Sequence, residues 1–447
     1  MMRRVMRHIL FTAVLVAACH GSDPAKGGAG LASSAPTTTP STMAGPATGS
    51  AAVASAGSGD TVGSAQVADA KAPVPAKPAD HPSDHPAESA PLEGHDFTPE
   101  GRALFAVGAC GEIPPPAGFP TKLLDKHCDV IKKAQNDYLE NWVKPASAFF
   151  VAHVPKDVPK KVVYPFAGGD LSTALTVYPD ADEITTLSLE PAGDPRDLNV
   201  LKDRDLEKAL DKVEYELKFL YRVNFSNTLN MIDAMRSGAL PTQLIFGLSA
   251  IKIHGYEVVS LRYFKLNDDG AIHYLDDKDL AKAPDATKGK PEFRNRIFAN
   301  AEVQFRRPGG RIQTYRHIQW NLDDDHLKKD PRIIKYLEAK GPVAAMTKAA
   351  SYLLSWDSFA TMRNYLIGHV VWMVSDATGI APKWGKPAGF EYETYGQFVG
   401  PHISAGNGIS KDWRAEFDAE PKRELGFRFG YYDKKNANHL VIIKKKS

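Results

Sequence analysis

The chain has 447 residues, 24% of them charged, with 55 Lys+Arg against 53 Asp+Glu and a formal net charge of +2. So balanced a composition excludes a strongly basic nucleic-acid binder, and no run of 18 apolar residues offers an ordinary membrane-spanning helix. Apart from Phe11, every Phe, Trp and Tyr lies in residues 96–447. The sequence therefore divides into a leader, a tract that cannot build a core, and a body long enough for one large core or two smaller ones.

In the leader, Arg3, Arg4, Arg7 and His8 precede an apolar stretch from Ile9 to Ala18. A positive segment followed by ten apolar residues is too short to span a bilayer and fits a secretory signal over residues 1–18. The stretch ends Val16-Ala17-Ala18-Cys19, which resembles the bacterial lipobox. That resemblance implies cleavage before Cys19 and acylation of its thiol, with the lipid bilayer as partner. Each buried methylene of an acyl chain contributes about 0.8 kcal/mol, so two or three chains anchor stably. The alternatives are an ordinary cleaved signal with an incidental Cys, or a cytosolic chain with an apolar start. His20 follows the Cys; in enterobacterial lipoproteins an Asp there favours inner-membrane retention. The expected placement is the cell envelope, at the outer membrane, facing the periplasm or the cell surface.

Residues 19–95 read as the lipidated N-terminus and a tether. Of the 76 residues 20–95, 54 are Ala, Gly, Ser, Thr or Pro, too little apolar surface to offset chain entropy, so disorder is expected. A flexible coil of that length spans roughly 50 Å. The His and Asp pairs at 80–81, 84–85 and 95–96 could form a weak metal tract, but nothing pre-organises them, and no metal site is assigned. With Cys19 acylated, Cys110 and Cys128 remain. In an exported chain they read as one disulfide, contributing about 3 kcal/mol over so short a loop; buried thiols or a redox pair are the alternatives.

In the body, 96–447, apolar spacing predicts a helix over 121–142 stopped by Pro145, a strand over 160–166, a short helix over 171–178 and a second strand over 184–189. A long amphipathic helix follows over 203–225, then helix over 227–237 and 241–253. The period then changes to strand at 257–266, turned at Asn267-Asp268-Asp269-Gly270. Strands at 297–305 and 311–320 flank Pro308-Gly309-Gly310 as a hairpin. Helices are predicted over 331–339 and 359–374, and short strands at 390–395, 426–431 and 440–443. The fold class is α/β or α+β: a mixed sheet with an early strand–helix–strand unit, a later antiparallel hairpin, and helices packed around it.

One constellation could carry chemistry. Residues 162–191 give strand, a Gly168-Gly169-Asp170 turn, helix, strand, then Glu190. Paired glycines let backbone turn sharply or a ligand come close. Free amides at a helix start bind anions, and an acid after the second strand sits where dinucleotide folds hold a ribose. The unit loosely resembles the first unit of Rossmann-like methyltransferases, but it lacks G-x-G-x-x-G and its helix is short. An exported domain also meets no reliable pool of nicotinamide cofactor or S-adenosylmethionine, so no cofactor is expected. A plain tight turn in an ordinary βαβ unit is the leading reading; a pocket repurposed for another ligand, with Asp170 and Glu190 as polar contacts, is the alternative. The blocks YPFAGGD, SLEPAGDP, KAASYLLSWDSFATMRNYLIGH, SDATGIAPKW and GFRFGYY with NHLVII are similar to an uncharacterised family of exported bacterial proteins. There the first block often ends in an aromatic, here Leu171, and the later one reads DDSGIP, from which Ser375–Ile380 departs. The resemblance covers most of residues 150–447 and implies no known activity.

No nucleophile elbow, zinc helix or Walker A is present. Asp323-Asp324-Asp325 suits a helix start, and His369 suits a structural hydrogen bond. Asp376 and His402 stand in predicted loops, where sites concentrate. Trp320, Trp356, Trp372, Trp384 and Trp413 could line a glycan cleft or pack in the core. The sequence reading is thus a membrane-anchored lipoprotein with a non-catalytic envelope or binding role and an envelope glycan or protein as partner. The alternative is an enzyme with its pocket at Gly168–Asp170 and Glu190. The candidate ligand contacts are Gly168, Gly169, Asp170, Glu190, Asp376 and His402.

Overall fold

The computed structural model describes residues 92–223, 240–285, 294–399, 409–430 and 438–446. Two helices, α1 (Thr98–Val107) and α2 (Thr121–Tyr138), open the body. The Cys110–Cys128 disulfide, with Cα atoms 5.4 Å apart, fastens the segment after α1 to α2. Pro145 does not stop the helical run. A π turn at Leu139–Val143 leads straight into α3 (Lys144–His153). Pro145 stands in the first turn of α3, and the widened turn before it accommodates the missing N–H.

The first strand–helix–strand unit is β1 (Lys161–Pro165), α4 (Leu171–Val177) and β2 (Glu183–Ser188). Next come α5 (Asp203–Val223), α6 (Thr242–Ile253), β3 (Glu257–Leu266), β4 (Ile272–Tyr274), β5 (Asn300–Arg306) and β6 (Gln313–Gln319). The chain continues with α7 (Asp324–Lys329), α8 (Arg332–Glu338), β7 (Val343–Thr347), α9 (Ala360–His369) and β8 (Val370–Ser375). It closes with β9 (Phe390–Gln397), α10 (Ile409–Ala419) and β10 (Asn438–Lys445). The ten strands form one sheet in the order β4-β3-β5-β6-β2-β1-β7-β8-β10-β9. The five from β6 to β8 run parallel, and both flanks are antiparallel. The fold is α/β, with the early unit giving the parallel pair β1–β2 and the predicted hairpin giving β5–β6.

Two further expectations are corrected, and one strand was not foreseen. The helix predicted over 359–374 ends at His369, and Val370–Ser375 is the strand β8. Val370, Val371, Trp372 and Val374 are β-branched or aromatic, and such residues pack well on a pleated surface. Strand β7 was not anticipated. It is five residues buried on both faces, and so short an apolar run carries no alternation to read. The strand expected at 426–431 is absent from 426–430; there Phe427 and Phe429 pack instead against Phe150 of α3. The helix expected at 227–237 lies outside the described residues, as does the leader and most of the tether.

Alternation along the central strands builds two cores. Val162 and Tyr164 of β1 and Ala344 and Met346 of β7 face the side covered by α1 to α6. Val163, Val343 and Ala345 face the side covered by α7 to α10. A row of alternating charge also crosses the sheet. Arg262 pairs with Glu302, Arg316 pairs with Glu302 and Glu183, and Glu183 pairs with Lys340. Burial alone would raise the Glu183 carboxyl, but Lys340 and Arg316 hold it down to about 2. Among the described residues, no helix is long and apolar enough to cross a membrane.

Candidate functional site

Strand β1 lies at the middle of the parallel set, with β2 on one side and β7 on the other. Ligands of open α/β sheets bind beyond the carboxyl ends of the strands at such a reversal of order. Four ionisable residues follow these strands here: Asp170 after β1, Glu190 after β2, Lys348 after β7 and Asp376 after β8.

Asp170 is the N-cap of α4. Its Oδ1 accepts from the Thr173 amide (3.3 Å) and hydroxyl (2.6 Å). Its Oδ2 accepts from the Tyr164 hydroxyl (3.1 Å) and from Lys348 Nζ (3.0 Å). Asp170 and Lys348 are each 1% exposed. Lys348 also donates to Thr173 Oγ1 at 3.1 Å and lies 5.3 Å from the centre of the Phe429 ring. Burial lowers the Lys348 pKa, while Asp170 and Asp376 oppose that shift. Asp376 accepts from the Ala349 amide (3.0 Å) and from the Thr378 hydroxyl, and burial raises its pKa. Its carbonyl accepts from His439 Nε2 at 2.8 Å.

The backbone is strained at the same edge. Phe166, Ala349 and Ala377, which follow β1, β7 and β8, have φ of +57°, +51° and +65°. A side chain in the left-handed region costs on the order of 1 kcal/mol or more. The bond from Asp376 to the Ala349 amide holds one of these residues in place.

The paired glycines form the expected tight turn, and the space beside them is taken by a side chain rather than left for a ligand. A Cβ on Gly169 would lie 2.0 Å from Phe246 Cδ2 of α6. The anion at the start of α4 is likewise the chain's own Asp170 carboxylate.

Glu190 is 0% exposed, takes no part in the Asp170–Lys348 pair, and neither of its carboxylate oxygens has a hydrogen-bond partner. Its backbone, however, is tied to the glycine turn by a relay. Gln243 Nε2 donates to the Gly168 carbonyl (2.8 Å) and to His317 Nδ1 (3.1 Å), and His317 Nε2 donates to the Glu190 carbonyl (2.7 Å). The two ends fix the neutral Nε2–H tautomer, and burial lowers the His317 pKa to about 4. The structure thus gathers Asp170 and Asp376 around Lys348, and joins Gly168 to Glu190 through Gln243 and His317. His402 and Cys19 lie outside the described residues.

Sequence reasoning missed Lys348, Gln243 and His317. The available signal for Lys348 is a cation two residues past the apolar run Val343–Met346, a run too short to show the alternation that would place β7. The acidic run behaves as capping: Asp323 accepts from the His326 amide (2.9 Å) at the start of α7, and Asp324 accepts from the Thr361 amide (2.9 Å) at the start of α9. His369 Nδ1 donates to the Tyr365 carbonyl at 3.0 Å. Trp372 and Trp413 are buried in opposite cores and line no common cleft. His273, Asp276 and Asp279 stand within metal-ligand reach of one another, but Asp279 is paired with Lys265 and His273, and Asp276 accepts from the Asp279 amide.

Chemically, the edge holds a buried ammonium between two carboxylates whose oxygens accept from Thr173, Tyr164, Ala349 and Thr378. That arrangement fastens the ends of β1, β7 and β8 to one another and caps α4. The chain matches no protein-family model, no curated protein and no solved structure, so the reading of this edge rests on its geometry.

Proposed function

We propose that the chain is a membrane-anchored bacterial lipoprotein, acylated at Cys19, whose body has a non-catalytic binding or scaffolding role in the cell envelope toward a glycan or protein partner. Support for the anchor comes from the basic leader, its ten apolar residues and Val16-Ala17-Ala18-Cys19. One observation carries the non-catalytic part: the carboxylate that would serve as the acid or base of the turn, Asp170, is 1% exposed and occupied by a helix cap and an ion pair to Lys348. A catalytic group must reach the proton it moves, and a carboxylate with four donors on its two oxygens is committed to structure. The enzyme reading draws on Glu190, a buried carboxylate without a hydrogen-bond partner among the described residues.

The anchor is tested by labelling the full chain with palmitate in a bacterial host. Label and membrane association should both be lost in Cys19→Ala; label that persists in the variant refutes the lipid anchor.

A further inference from the structure

The opposite, amino edge of the parallel strands carries a groove of about 450 Å³ that no feature of the carboxyl edge reaches. It lies between two connections: the one leaving α3 for β1 and the one leaving α4 for β2. Prolines shape both of them, Pro155 and Pro159 in the first and Pro179 in the second. A residue without an N–H and with φ fixed near −65° keeps such a loop from pairing its backbone or collapsing onto its neighbour. The walls are Phe150, Val151, Val154, Val158 and Tyr178. Phe150, Val158 and Tyr178 are buried and belong to the core, so the floor is rigid. Val151 is 78% exposed on the lip. A cleft of about 300–1,000 Å³ lined by apolar side chains is the usual form of a small-molecule site.

Charge selects among apolar ligands. Lys156 and Lys160 stand on the lip formed by the α3–β1 connection, and neither makes an ion pair with a described residue. Among the lining residues the one carboxylate, Asp180, stands on the other lip, where Arg311 donates to its backbone carbonyl and pairs with Asp182; Asp157, between the two lysines in the chain, is exposed and outside the lining. A ligand head placed beside Lys156 and Lys160 meets two uncommitted cations.

We propose that this groove binds the chain of a single-tailed amphiphile with an anionic head, a long-chain carboxylate, with the tail against Phe150, Val151 and Tyr178 and the head at Lys156 and Lys160. Binding there is independent of acylation at Cys19 and of the Asp170–Lys348 pair, so Cys19→Ala protein binds as the parent does. Failure of the lipid anchor and failure of this site are therefore separable.

The experiment uses the full chain with dodecanoate below its micelle concentration, measured by calorimetry, and a diazirine-bearing fatty acid for covalent mapping. Dodecanoate should bind one to one, at least tenfold more tightly than dodecyltrimethylammonium. Val151→Asp alters an exposed residue, leaves the circular dichroism unchanged, and should weaken binding at least tenfold. Lys156→Glu with Lys160→Glu should abolish the preference for the anion. Photolysis should label residues 147–160 and 176–181. No binding of dodecanoate, equal binding of the cationic amphiphile, unchanged binding in Val151→Asp, or label placed elsewhere would each overturn the proposal.

Discussion

Asp170 and Glu190 invite comparison. Each is an acid following one of two adjacent parallel strands, each is fully buried, and the sequence offers both as polar contacts of a single pocket. Asp170 accepts four hydrogen bonds, one of them from Lys348. The Glu190 carboxylate accepts none, and only its backbone carbonyl is held, by His317. Burial by itself therefore says little about an acid's role; the donors within reach decide it. A buried carboxylate that is paired and hydrogen-bonded is part of the frame, whereas one without donors carries a desolvation cost the fold does not offset locally.

The comparison breaks first at Lys348. Lys348→Met leaves Asp170 buried without its cation, and unfolding by denaturant should show a loss of about 3–5 kcal/mol. Adding Asp170→Asn should recover part of that loss but not all, because the cap on α4 is weakened as well. A Lys348→Met protein as stable as the parent would mean that Asp170 is not held by this pair.

That pair was only half legible in the sequence. Asp170 was visible because glycines and a helix start surround it, and the parallel strands β1 and β2 were visible because each is an apolar run bounded by turn residues. Lys348 was not, since β7 is five residues with no periodicity and its partner β8 continued a helical pattern without a break. The same limit hid the Gln243–His317 relay. Its members lie 74 residues apart, on a helix and a strand whose pairing only the fold supplies. The glycine pair was legible as a tight turn, but not what packs on it: Phe246 of the chain itself approaches Gly169, and local sequence does not distinguish a ligand from a side chain.

A smaller effect sharpens the backbone half of the comparison. The folded pKa of His317, about 4, is below the ordinary value near 6.5, so the unfolded chain takes up the proton first as pH falls. The stability His317 contributes is complete above pH 6.5 and is lost as pH falls toward 4. The gap in unfolding free energy between the parent and His317→Gln should therefore narrow by about 2 kcal/mol from pH 7.5 to pH 5. A gap independent of pH would place the histidine in a solvated setting.

The smallest effect belongs to Glu190. Glu190→Gln replaces a buried carboxyl group that accepts no hydrogen bond, and stability should change by no more than about 1 kcal/mol. A loss beyond about 2 kcal/mol would reveal a partner for this carboxylate and make it a second Asp170.

The closed ion pair is tested most directly by acylating the lysines of the native full-length chain with acetic anhydride and mapping the products by mass spectrometry. Lys348 should stay unmodified while exposed lysines such as Lys156 react, and should react once the chain is unfolded in urea. Rapid acylation of Lys348 in the native protein would show an ammonium open to solvent, contradicting a structural edge and favouring a catalytic pocket.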